Sequence, residues 1–450
     1  MKNFSLLAFV AIFCLSFTKL LAQPSGKWEG NIEVLGQQIG IEVHFSKNQN
    51  NLGGVLNIPS QNAFGLKLNS VDWENPQLSF RVDTATTHLT FEGTLKNDSI
   101  TGKFLQSGYE GSFHLTKWEK KVTPWVDKEV TFKSGNLTLA GTLSLPDSSK
   151  KYPGVVLVSG SGGQDRSENV GGFKVFDKLA AALLKNGIAV IRYDDRGTGE
   201  SEGKDVMNYT TPELAKDAQA AYQHMISSPY VDKNESGIIG HSEGAIIAGI
   251  VARDNPDVDF IMLMAGSAVR GDKLLLAQSE AIMNARGMDE NYVKKVSELN
   301  KKIYARLMNN NVDWESLKEE LWQGFAGLKK KEELTAMDSA TIRKQVNAQM
   351  KAMQKPWFRH FVKLNPIKIY KGVDVPAVAM FGGKDSQVPP RQNARAIEEM
   401  GKDNFKIKLF PKANHLFQKA ETGSPMEYGK LDKAFVNDFT DFIVEWIKER

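Results

Sequence analysis

The first third of the chain alternates hydrophobic and polar residues at every second position. The alternation is clearest in the segments IGIEVHF, QLSFRV, HLTFEGTL, SITGKF and GSFHLTKW. Gly, Asn, Asp and Pro separate these segments, and no helical period interrupts them. A two-residue period is typical of antiparallel strands with one face towards solvent. The pattern therefore predicts a small all-β domain, a barrel or a sandwich, over residues 23–120.

A different pattern begins near Val130. The segment VTFKSGNLTLAGTLSLP predicts a β-hairpin, and apolar runs such as GVVLVSG, SGIIG and DFIMLMAG then alternate with amphipathic helices. Fully apolar strands that alternate with helices are typical of a parallel sheet covered on both faces. In the helix that begins at TPELAKDAQ, we expect Thr211 to be the N-cap and Glu213 to lie in the first turn.

The alternation of strands and helices stops between residues 270 and 366. This stretch is charged, rich in aromatic residues and helical in its period, and the strand pattern resumes afterwards at VPAVAMFGGKD and FKIKLFP. We interpret 125–269 and 367–450 as two parts of one α/β core, with 270–366 as a helical cap over the strand ends. The alternative is a helical appendage that makes no contact with a site.

The first 22 residues have the features of a signal peptide. Lys2 precedes a short apolar run from Phe4 to Phe17, and Ala22 stands at a position suited to cleavage. The apolar run is short for a membrane span. We expect export to a periplasm or to the exterior, and a membrane-anchored N-terminus is the alternative.

The composition of the chain limits which partners and which catalytic or metal-binding groups it could have. The net charge is +4 over 450 residues without a basic stripe, which argues against a nucleic-acid partner. The single cysteine, Cys14, lies in the predicted signal peptide, so the exported chain would have no disulfide, thiol nucleophile or cysteine metal site. We interpret His44, His88 and His114 as ordinary half-buried strand residues rather than metal ligands.

Ser242 stands in the segment GIIGHSEGAII, between a predicted strand and a predicted helix. The G-x-S-x-G spacing is typical of a sharp turn that forces the serine into strained backbone angles. Gly240 and Gly244 leave room for that turn. The hydroxyl would project above the sheet, beside the N-terminus of the next helix. We predict that Ser242 is a nucleophile, and a simple helix cap is the alternative.

A serine nucleophile needs a base, and the base needs a group that orients it. His415 lies in LFPKANHLF after the last predicted strand, and Asp385 follows another strand in MFGGKDSQVPP. Loops at the carboxyl ends of parallel strands build the site of such a sheet. We predict that His415 is the base and Asp385 its carboxylate. The alternatives are a loop histidine and a turn aspartate without a catalytic role.

Two loops are candidates to stabilise an oxyanion. The predicted donors are the backbone N–H of Glu243 and, from VSGSGGQDR, that of Ser161 with Gly162 as the alternative. The Glu243 side chain is expected to orient a turn rather than take part in the chemistry. In YDDRGTGES we expect Asp195 and Arg196 to pair. Neither glycine-rich loop has the remaining residues of a nucleotide-binding motif, so no cofactor is predicted.

Several motifs together resemble the bacterial α/β-hydrolase carboxylesterases related to serine aminopeptidase-like hydrolases: GHSEG, SGSGGQDR, YDDRGTGESEG, PWFRHFVKLNP, FGGKDSQVPP and NHLF. The resemblance covers residues 130–450. It implies an α/β-hydrolase fold with Ser242 as nucleophile, Asp385 as acid and His415 as base, and cleavage of carboxylic esters of modest acyl length. The chain departs from the family at Ser159, where a histidine is usual, and in its long cap.

These observations together predict an exported serine esterase that acts on small esters of short to medium acyl chains through an acyl-enzyme, without a metal or organic cofactor. One alternative is an aminopeptidase-type peptidase on the same fold, in which Glu243 or a cap acid would hold a free amine. Another is a binder of glycan or cell wall, through the N-terminal domain, with a secondary hydrolase.

Overall fold

The computed structural model describes residues 24–34, 37–48, 51–58, 63–83, 88–106, 108–118, 123–328 and 336–450. The predicted signal peptide, residues 1–22, lies outside the described residues. Contacts divide the chain into two units, Met1–Asn57 with Leu66–Glu119 and Ile58–Gly65 with Lys120–Arg450. Within the described ranges, no helix is both long and apolar enough to cross a membrane.

The N-terminal region is one curled antiparallel sheet that forms a half-barrel. Its strands are β1 (Gly26–Val34), β2 (Gln37–Asn48), β3 (Asn51–Ile58), β4 (Ala63–Lys67), β5 (Ser70–Glu74), β6 (Gln77–Asp83), β7 (His88–Lys96), β8 (Ser99–Gln106) and β9 (Tyr109–Lys117). They lie in the order β4-β3-β2-β1-β9-β8-β7-β6-β5. Alternate residues are buried, and Phe80 stacks on Phe91 with ring centroids 4.4 Å apart. The predicted all-β domain is confirmed.

The three strand histidines lie on the exposed face of this sheet, so their predicted half-buried environment is wrong. His44 alternates with the buried residues Val43 and Phe45. His88 and His114 are exposed as well; His88 Nδ1 lies 2.8 Å from Asp83 Oδ1, and His114 Nε2 lies 2.9 Å from the Ser99 hydroxyl. In the described part of the chain, no group of three or more His, Cys, Asp or Glu side chains could hold a metal ion.

The second region contains a mixed sheet of eight strands. Its strands are β10 (Val126–Ser134), β11 (Leu137–Leu145), β12 (Tyr152–Val158), β15 (Ala189–Tyr193), β16 (Val231–His241), β17 (Phe260–Met264), β18 (Ala377–Gly382) and β19 (Phe405–Phe410), while β13 (Asn169–Val170) and β14 (Phe173–Lys174) form a separate pair. The order is β10-β11-β15-β12-β16-β17-β18-β19. The predicted hairpin is β10 and β11, and all strands from β15 to β19 are parallel.

Helices cover both faces of this sheet. They are α1 (Val175–Lys185), α2 (Thr211–Ile226), α3 (Glu243–Asp254), α10 (Pro390–Met400) and α11 (Phe439–Lys448). In α1 the buried residues recur at helical spacing, as in Phe176, Leu179 and Leu183, and they pack with α11 on one face. Helices α2 and α3 pack on the other face. This is the predicted α/β core.

The stretch predicted as a cap is helical throughout its described residues. Its helices are α4 (Gly271–Ala285), α5 (Glu290–Leu307), α6 (Trp314–Gly327), α7 (Ala336–Met353), α8 (Pro356–Phe361) and α9 (Pro366–Tyr370). Apolar residues from several of them, including Ile303, Leu317 and Val346, form a small core of their own. Trp357 and Phe361 of α8 belong instead to the hydrophobic core on the α2 and α3 face of the sheet. Helix α8 therefore joins the cap to the α/β core.

The N-cap of α2 is Thr210, so the prediction of Thr211 is wrong by one residue. The Glu213 carboxylate accepts hydrogen bonds from the backbone N–H and the hydroxyl of Thr210, each at 2.7 Å. These bonds belong to a capping box, which satisfies donors at the start of the helix. Glu213 lies in the first turn as predicted, and Thr211 is buried with its hydroxyl directed at another residue.

Candidate active site

The turn at Ser242 joins β16 to α3. Ser242 has φ 56° and ψ −113°, a conformation that residues other than glycine rarely adopt. A Cβ on Gly240 would lie 2.0 Å from the Gly244 carbonyl oxygen, and a Cβ on Gly244 would lie 2.1 Å from that of Val158. The Ser242 N–H donates to the Met264 carbonyl at 2.8 Å, which holds the turn against β17. The predicted sharp turn is therefore present, and it requires both glycines.

His415 and Asp385 are brought together from loops that follow β19 and β18. His415 Nδ1 lies 2.8 Å from Asp385 Oδ2, and Asp385 Oδ1 accepts the backbone N–H groups of Gln387 and Val388, each at 2.8 Å. A carboxylate oxygen only accepts, so Nδ1 carries a proton, and in the neutral form of the ring Nε2 then has the lone pair. The predicted base and the predicted acid thus have the geometry that general-base catalysis requires.

His241 connects the segment that contains Ser242 to the segment that contains His415. His241 Nε2 is 3.0 Å from the His415 carbonyl oxygen, and the two imidazole rings are 4.8 Å apart. In the ranges that the structure describes, no hydrogen bond joins the Ser242 hydroxyl to the His415 ring. Catalytic hydrogen bonds are often long in free enzymes and tighten when substrate binds.

The loop after β12 packs directly against the turn. A Cβ added to Gly160 would lie 3.1 Å from the Cβ of Ser242. The Gly160 N–H is already used, because it donates to Glu168 Oε1 at 2.9 Å. Among the described residues, the predicted oxyanion donors have no backbone or side-chain acceptor: the amides of Glu243, Ser161 and Gly162. These three N–H groups are therefore available as hydrogen-bond donors.

Asp195 and Arg196 do not pair, so that prediction is wrong. The Asp195 carboxylate accepts the Ser159 hydroxyl at 2.9 Å and the Gln164 N–H at 2.9 Å, and burial raises the pKa of Asp195 well above its usual range. Arg196 instead makes two hydrogen bonds of 2.6 Å to Asp217 on α2. Ser159, which replaces the histidine usual in the resembling family, thus fixes the loop through Asp195.

The Glu243 side chain is buried between the core and the cap. Its Oε1 accepts the Thr211 hydroxyl at 2.7 Å, and Trp357 Nε1 of α8 donates to the same carboxylate at 2.8–2.9 Å. Burial raises the pKa of Glu243 to about 7, although both hydrogen bonds oppose the shift. The cap therefore contacts the residue that follows the predicted nucleophile. Because these partners lie 32 and 114 residues away, no local pattern could have identified them.

The sequence analysis assigned no role to Glu168 or to His241, the residue that precedes Ser242. Glu168 is buried with φ 46°, and His241 Nδ1 lies 2.7 Å from its Oε1. A single acid in a polar, glycine-rich loop belongs to no periodic pattern and to no motif. Only the turn of the loop back towards β16 places Glu168 beside the predicted nucleophile.

A doubly covered parallel sheet with a strained serine turn after one strand, and a histidine and an aspartate after two others, is the architecture of the α/β-hydrolase fold. The chain is therefore an α/β-hydrolase by its fold, and it has a candidate serine hydrolase site.

Residues 171–421, more than half of the chain, match the family described as "Serine aminopeptidase, S33", and the chain belongs to this family. Esterase EstD of Thermotoga maritima is 27% identical over 338 residues, which cover 73% of this chain and 72% of EstD. The predicted resemblance to α/β-hydrolase carboxylesterases is confirmed, and so is the predicted class of enzyme, a hydrolase of the carboxylesterase type.

Solved structures are similar at lower identity. The Pyrococcus furiosus esterase Pf2001 has a TM-score of 0.44 and 15% identity, over 74% of this chain and 96% of that one. Est1E from Butyrivibrio proteoclasticus, solved with ferulic acid bound, has a TM-score of 0.39 and 14% identity, over 71% of this chain and 96% of that one.

Proposed function

We propose that this enzyme hydrolyses carboxylic esters of short to medium acyl chains through an acyl-enzyme formed on Ser242. The observation that carries the proposal is the hydrogen bond between His415 and Asp385 at the strand ends, beside the strained turn of Ser242. The similarity to Esterase EstD supports an ester as the substrate.

In the first half of the proposed reaction, Ser242 Oγ attacks the ester carbonyl carbon and its proton passes to His415 Nε2. Asp385 stabilises the imidazolium that forms. The carbonyl electrons move to oxygen, which accepts hydrogen bonds from the N–H of Glu243 and from that of Ser161 or Gly162. Each such donor contributes about 3 kcal/mol to the stability of the transition state. The tetrahedral intermediate then expels the alcohol, which takes the proton from His415.

In the second half, a water molecule attacks the acyl carbon of the ester formed on Ser242. His415 Nε2 accepts a proton from this water, and the same amides bind the second oxyanion. When the intermediate collapses, the bond between the acyl carbon and Ser242 Oγ breaks. The proton on His415 returns to the serine oxygen, so the enzyme is restored and the carboxylic acid is released.

Replacement of the nucleophile tests the mechanism. Ser242→Ala is expected to lower kcat on p-nitrophenyl butyrate by about 10⁶-fold, because loss of the nucleophile removes the covalent route. Ser161→Ala is the matched control, since it keeps the backbone N–H and removes only an exposed hydroxyl. Residual turnover of purified, folded Ser242→Ala above one percent would contradict the assignment.

The acyl-chain range is tested with p-nitrophenyl esters from acetate to palmitate. We expect kcat/KM to be highest on the short and medium acyl chains, as the resemblance to carboxylesterases of modest acyl length implies. A maximum at palmitate would overturn the proposed substrate class while leaving the acyl-enzyme mechanism intact.

The aminopeptidase alternative is favoured only by the description of the family. One of its proposed amine anchors, the Glu243 carboxylate, is engaged by Thr211 and Trp357, which argues against a role in binding a substrate amine. Aminoacyl p-nitroanilides, assayed beside the esters, discriminate between the two functions. Higher kcat/KM on the anilides would reject the esterase proposal.

Export and a cell-envelope contact are further proposals. The exposed aromatic residues Tyr109 and Trp118 lie at opposite ends of β9, roughly 30 Å apart at the usual rise per residue, so they do not form one sugar-stacking platform. A mature N-terminus at Gln23 in periplasmic or secreted protein would support export. Cosedimentation of full-length Ser242→Ala with purified cell wall would support the binding function.

A further inference from the structure

His241 meets a hydrogen-bond acceptor at each of its ring nitrogens. Nδ1 lies 2.7 Å from Glu168 Oε1, and Nε2 lies 3.0 Å from the His415 carbonyl oxygen. A neutral imidazole carries only one N–H, and neither a carboxylate nor a carbonyl donates. Glu168 Oε1 also accepts the N–H of Gly160, which makes this oxygen an acceptor of two donors. Both contacts of His241 are therefore satisfied at once by an imidazolium paired with a carboxylate.

The pair is sealed from solvent. The side chains of His241 and Glu168 are 3% and 2% exposed. Burial alone would lower the pKa of His241, but the charge of Glu168 and the hydrogen bonds to Glu168 and His415 raise it above its usual range. Glu168 Oε2 is buried without a donor among the described residues, so the compensation of its charge comes through Oε1.

Other charged and titratable groups lie around the pair. Asp385 also raises the pKa of His241 through its charge, and the His415 ring lies 4.8 Å away. Asp195 lies near enough to Glu168 for their charges to interact. Because Asp385 and His415 are buried, solvent screens their effect on the ion pair only weakly.

Three segments of the proposed mechanism are tied to this ion pair. Glu168 holds the N–H of Gly160, in the loop that carries the proposed oxyanion donors Ser161 and Gly162. His241 directly precedes Ser242 and holds the backbone of His415. Glu168 also has a φ of 46°, which a glutamate adopts only where the surrounding structure enforces it. Such enforced conformations cluster at functional sites.

We propose that Glu168 and His241 are positioning residues for ester hydrolysis, an ion pair that aligns the oxyanion loop, the nucleophile and the base. The inference rests on the proposed function of Ser242, His415 and Asp385. The pair acts on the chemical step through backbone groups and does not touch the substrate. Its loss therefore lowers kcat more than it changes KM.

The pair also sets the alkaline limit of activity. Since the pKa of His241 is raised, the imidazolium persists below that pKa, and both of its hydrogen bonds are present. As pH rises through this pKa, the His241 ring loses one N–H and therefore one of its two hydrogen bonds. Either the loop that contains Glu168 or the loop that contains His415 is then released. Without the charge of Glu168, burial lowers the pKa of His241, so the alkaline fall in kcat moves to lower pH.

The first experiment compares Glu168→Gln, His241→Gln and the double variant with the wild type on p-nitrophenyl butyrate. We expect each single variant to lose 10- to 100-fold in kcat, the range for slight misplacement of reacting groups, with KM within threefold. The loss in the double variant should be smaller than the product of the two single losses, because both changes break the same bond between Glu168 and His241. Glu398→Gln, an exposed change on α10, is the matched control.

The pH profile separates positioning from a purely structural role. Glu168→Gln should shift the alkaline limb of kcat downward by at least one pH unit, whereas simple destabilisation would lower kcat equally at all pH values where the protein is folded. An unchanged alkaline limb, or a higher KM at unchanged kcat, would overturn the inference. Failure of the proposed function is recognised separately, because Ser242→Ala would then retain turnover whatever residue occupies position 168.

A second measurement keeps the inference testable if the Glu168 and His241 variants do not fold. The Ser242→Ala protein, labelled with ¹⁵N at histidine, should show two protonated ring nitrogens for His241 at pH 6.5, the ordinary pKa of a histidine side chain. The His241 signals are assigned by their nuclear Overhauser contacts to the His415 ring, which lies 4.8 Å away. A single protonated nitrogen on His241 would show a neutral ring and would reject the ion pair.

Discussion

At Ser242 the backbone holds a conformation that costs on the order of 1–3 kcal/mol, and the neighbouring residues supply the stabilisation. The hydrogen bond from its N–H to Met264 and the absence of side chains at Gly240 and Gly244 allow the turn. The orientation of the Asp385 carboxylate is also fixed, because each of its two oxygens has separate hydrogen-bond partners. Individual atoms, rather than residue types alone, therefore determine how the site works.

Asp385→Asn tests whether the site depends on the identity of a single atom, the carboxylate oxygen that faces His415. The two N–H groups of Gln387 and Val388 will hold the amide oxygen in the place of Oδ1, so the NH₂ group will face His415 Nδ1. His415 must then accept at Nδ1 and carry its proton on Nε2, where it cannot act as a base. We expect kcat to fall by about 10⁴-fold at pH 7. Asp403→Asn, on the surface, is the control, and a fall below tenfold would contradict the assigned tautomer.

Gly244→Ala tests the steric requirement of the turn. The added Cβ would lie 2.1 Å from a backbone oxygen of β12, a contact that neither backbone can relieve without opening the turn. We expect little soluble enzyme and no measurable esterase activity, since the change disrupts the centre of the sheet. Gly327→Ala, in α6 with no atom near the added Cβ, should match the wild type in yield and activity. Equal behaviour of the two variants would refute the steric argument.

At the scale of elements, helix α8 is the cap segment joined to the turn of the proposed nucleophile. Trp357 stacks on Phe361 with ring centroids 4.7 Å apart and directs its indole N–H to Glu243. Among the described residues, the Glu243 carboxylate accepts hydrogen bonds from the Thr211 hydroxyl and from this indole, and from no cation. The packing of α8 against the core therefore buries the Glu243 carboxyl group. The protonation state of Glu243 then affects how stably α8 is held.

The pH dependence of stability follows from the pKa of Glu243, which rises from 4.5 to about 7 on folding. Between these values the native state holds a proton that the unfolded chain releases, so this residue costs increasing stability as pH rises from 4.5 to 7. The neutral variant Glu243→Gln lacks that cost. We expect its thermal midpoint, relative to the wild type, to rise between pH 5 and pH 8, by an amount equivalent to about 2.5 kcal/mol.

The control for this measurement is Glu398→Gln, an exposed acid on α10. Its thermal midpoint relative to the wild type should be the same at pH 5 and at pH 8. If Glu243→Gln shows the same flat difference, Glu243 is not the titrating group that the structure indicates.

At the scale of the whole molecule, the chain has separate hydrophobic cores. Aromatic residues such as Phe80, Phe91 and Phe113 fill the N-terminal sheet, while the eight-stranded sheet has one core on each face. Each unit therefore buries apolar residues of its own, which is the condition for independent folding.

Calorimetry of the full chain is expected to show two unfolding transitions, one for each unit. Covalent phosphonylation of Ser242 should raise the temperature of only one of them, because the modified residue belongs to the second unit. A single transition that moves as a whole would show that the units unfold together and would contradict this prediction.

Local regularities were predictable from the sequence. Residues such as Val43 and Phe45 alternate with polar neighbours, and Phe176, Leu179 and Leu183 recur at helical spacing, so the classes of both regions followed from the period. The G-x-S-x-G motif, flanked by a strand and a helix, was enough to indicate the turn at Ser242. The N-cap of α2 was misplaced by one residue, because Thr210 and Thr211 have equal intrinsic preference for that position.

The sequence by itself determined the alternation of elements, the strained serine turn and the residues proposed as base and acid, because these depend on neighbours a few positions apart. Tertiary structure alone decided that Arg196 pairs with Asp217, that Trp357 reaches Glu243 and that Glu168 meets His241. Buried charges and polar groups need partners, but any of many distant residues could supply them. The packing of loops and helices on the sheet selects among those residues, and no spacing along the chain encodes that choice.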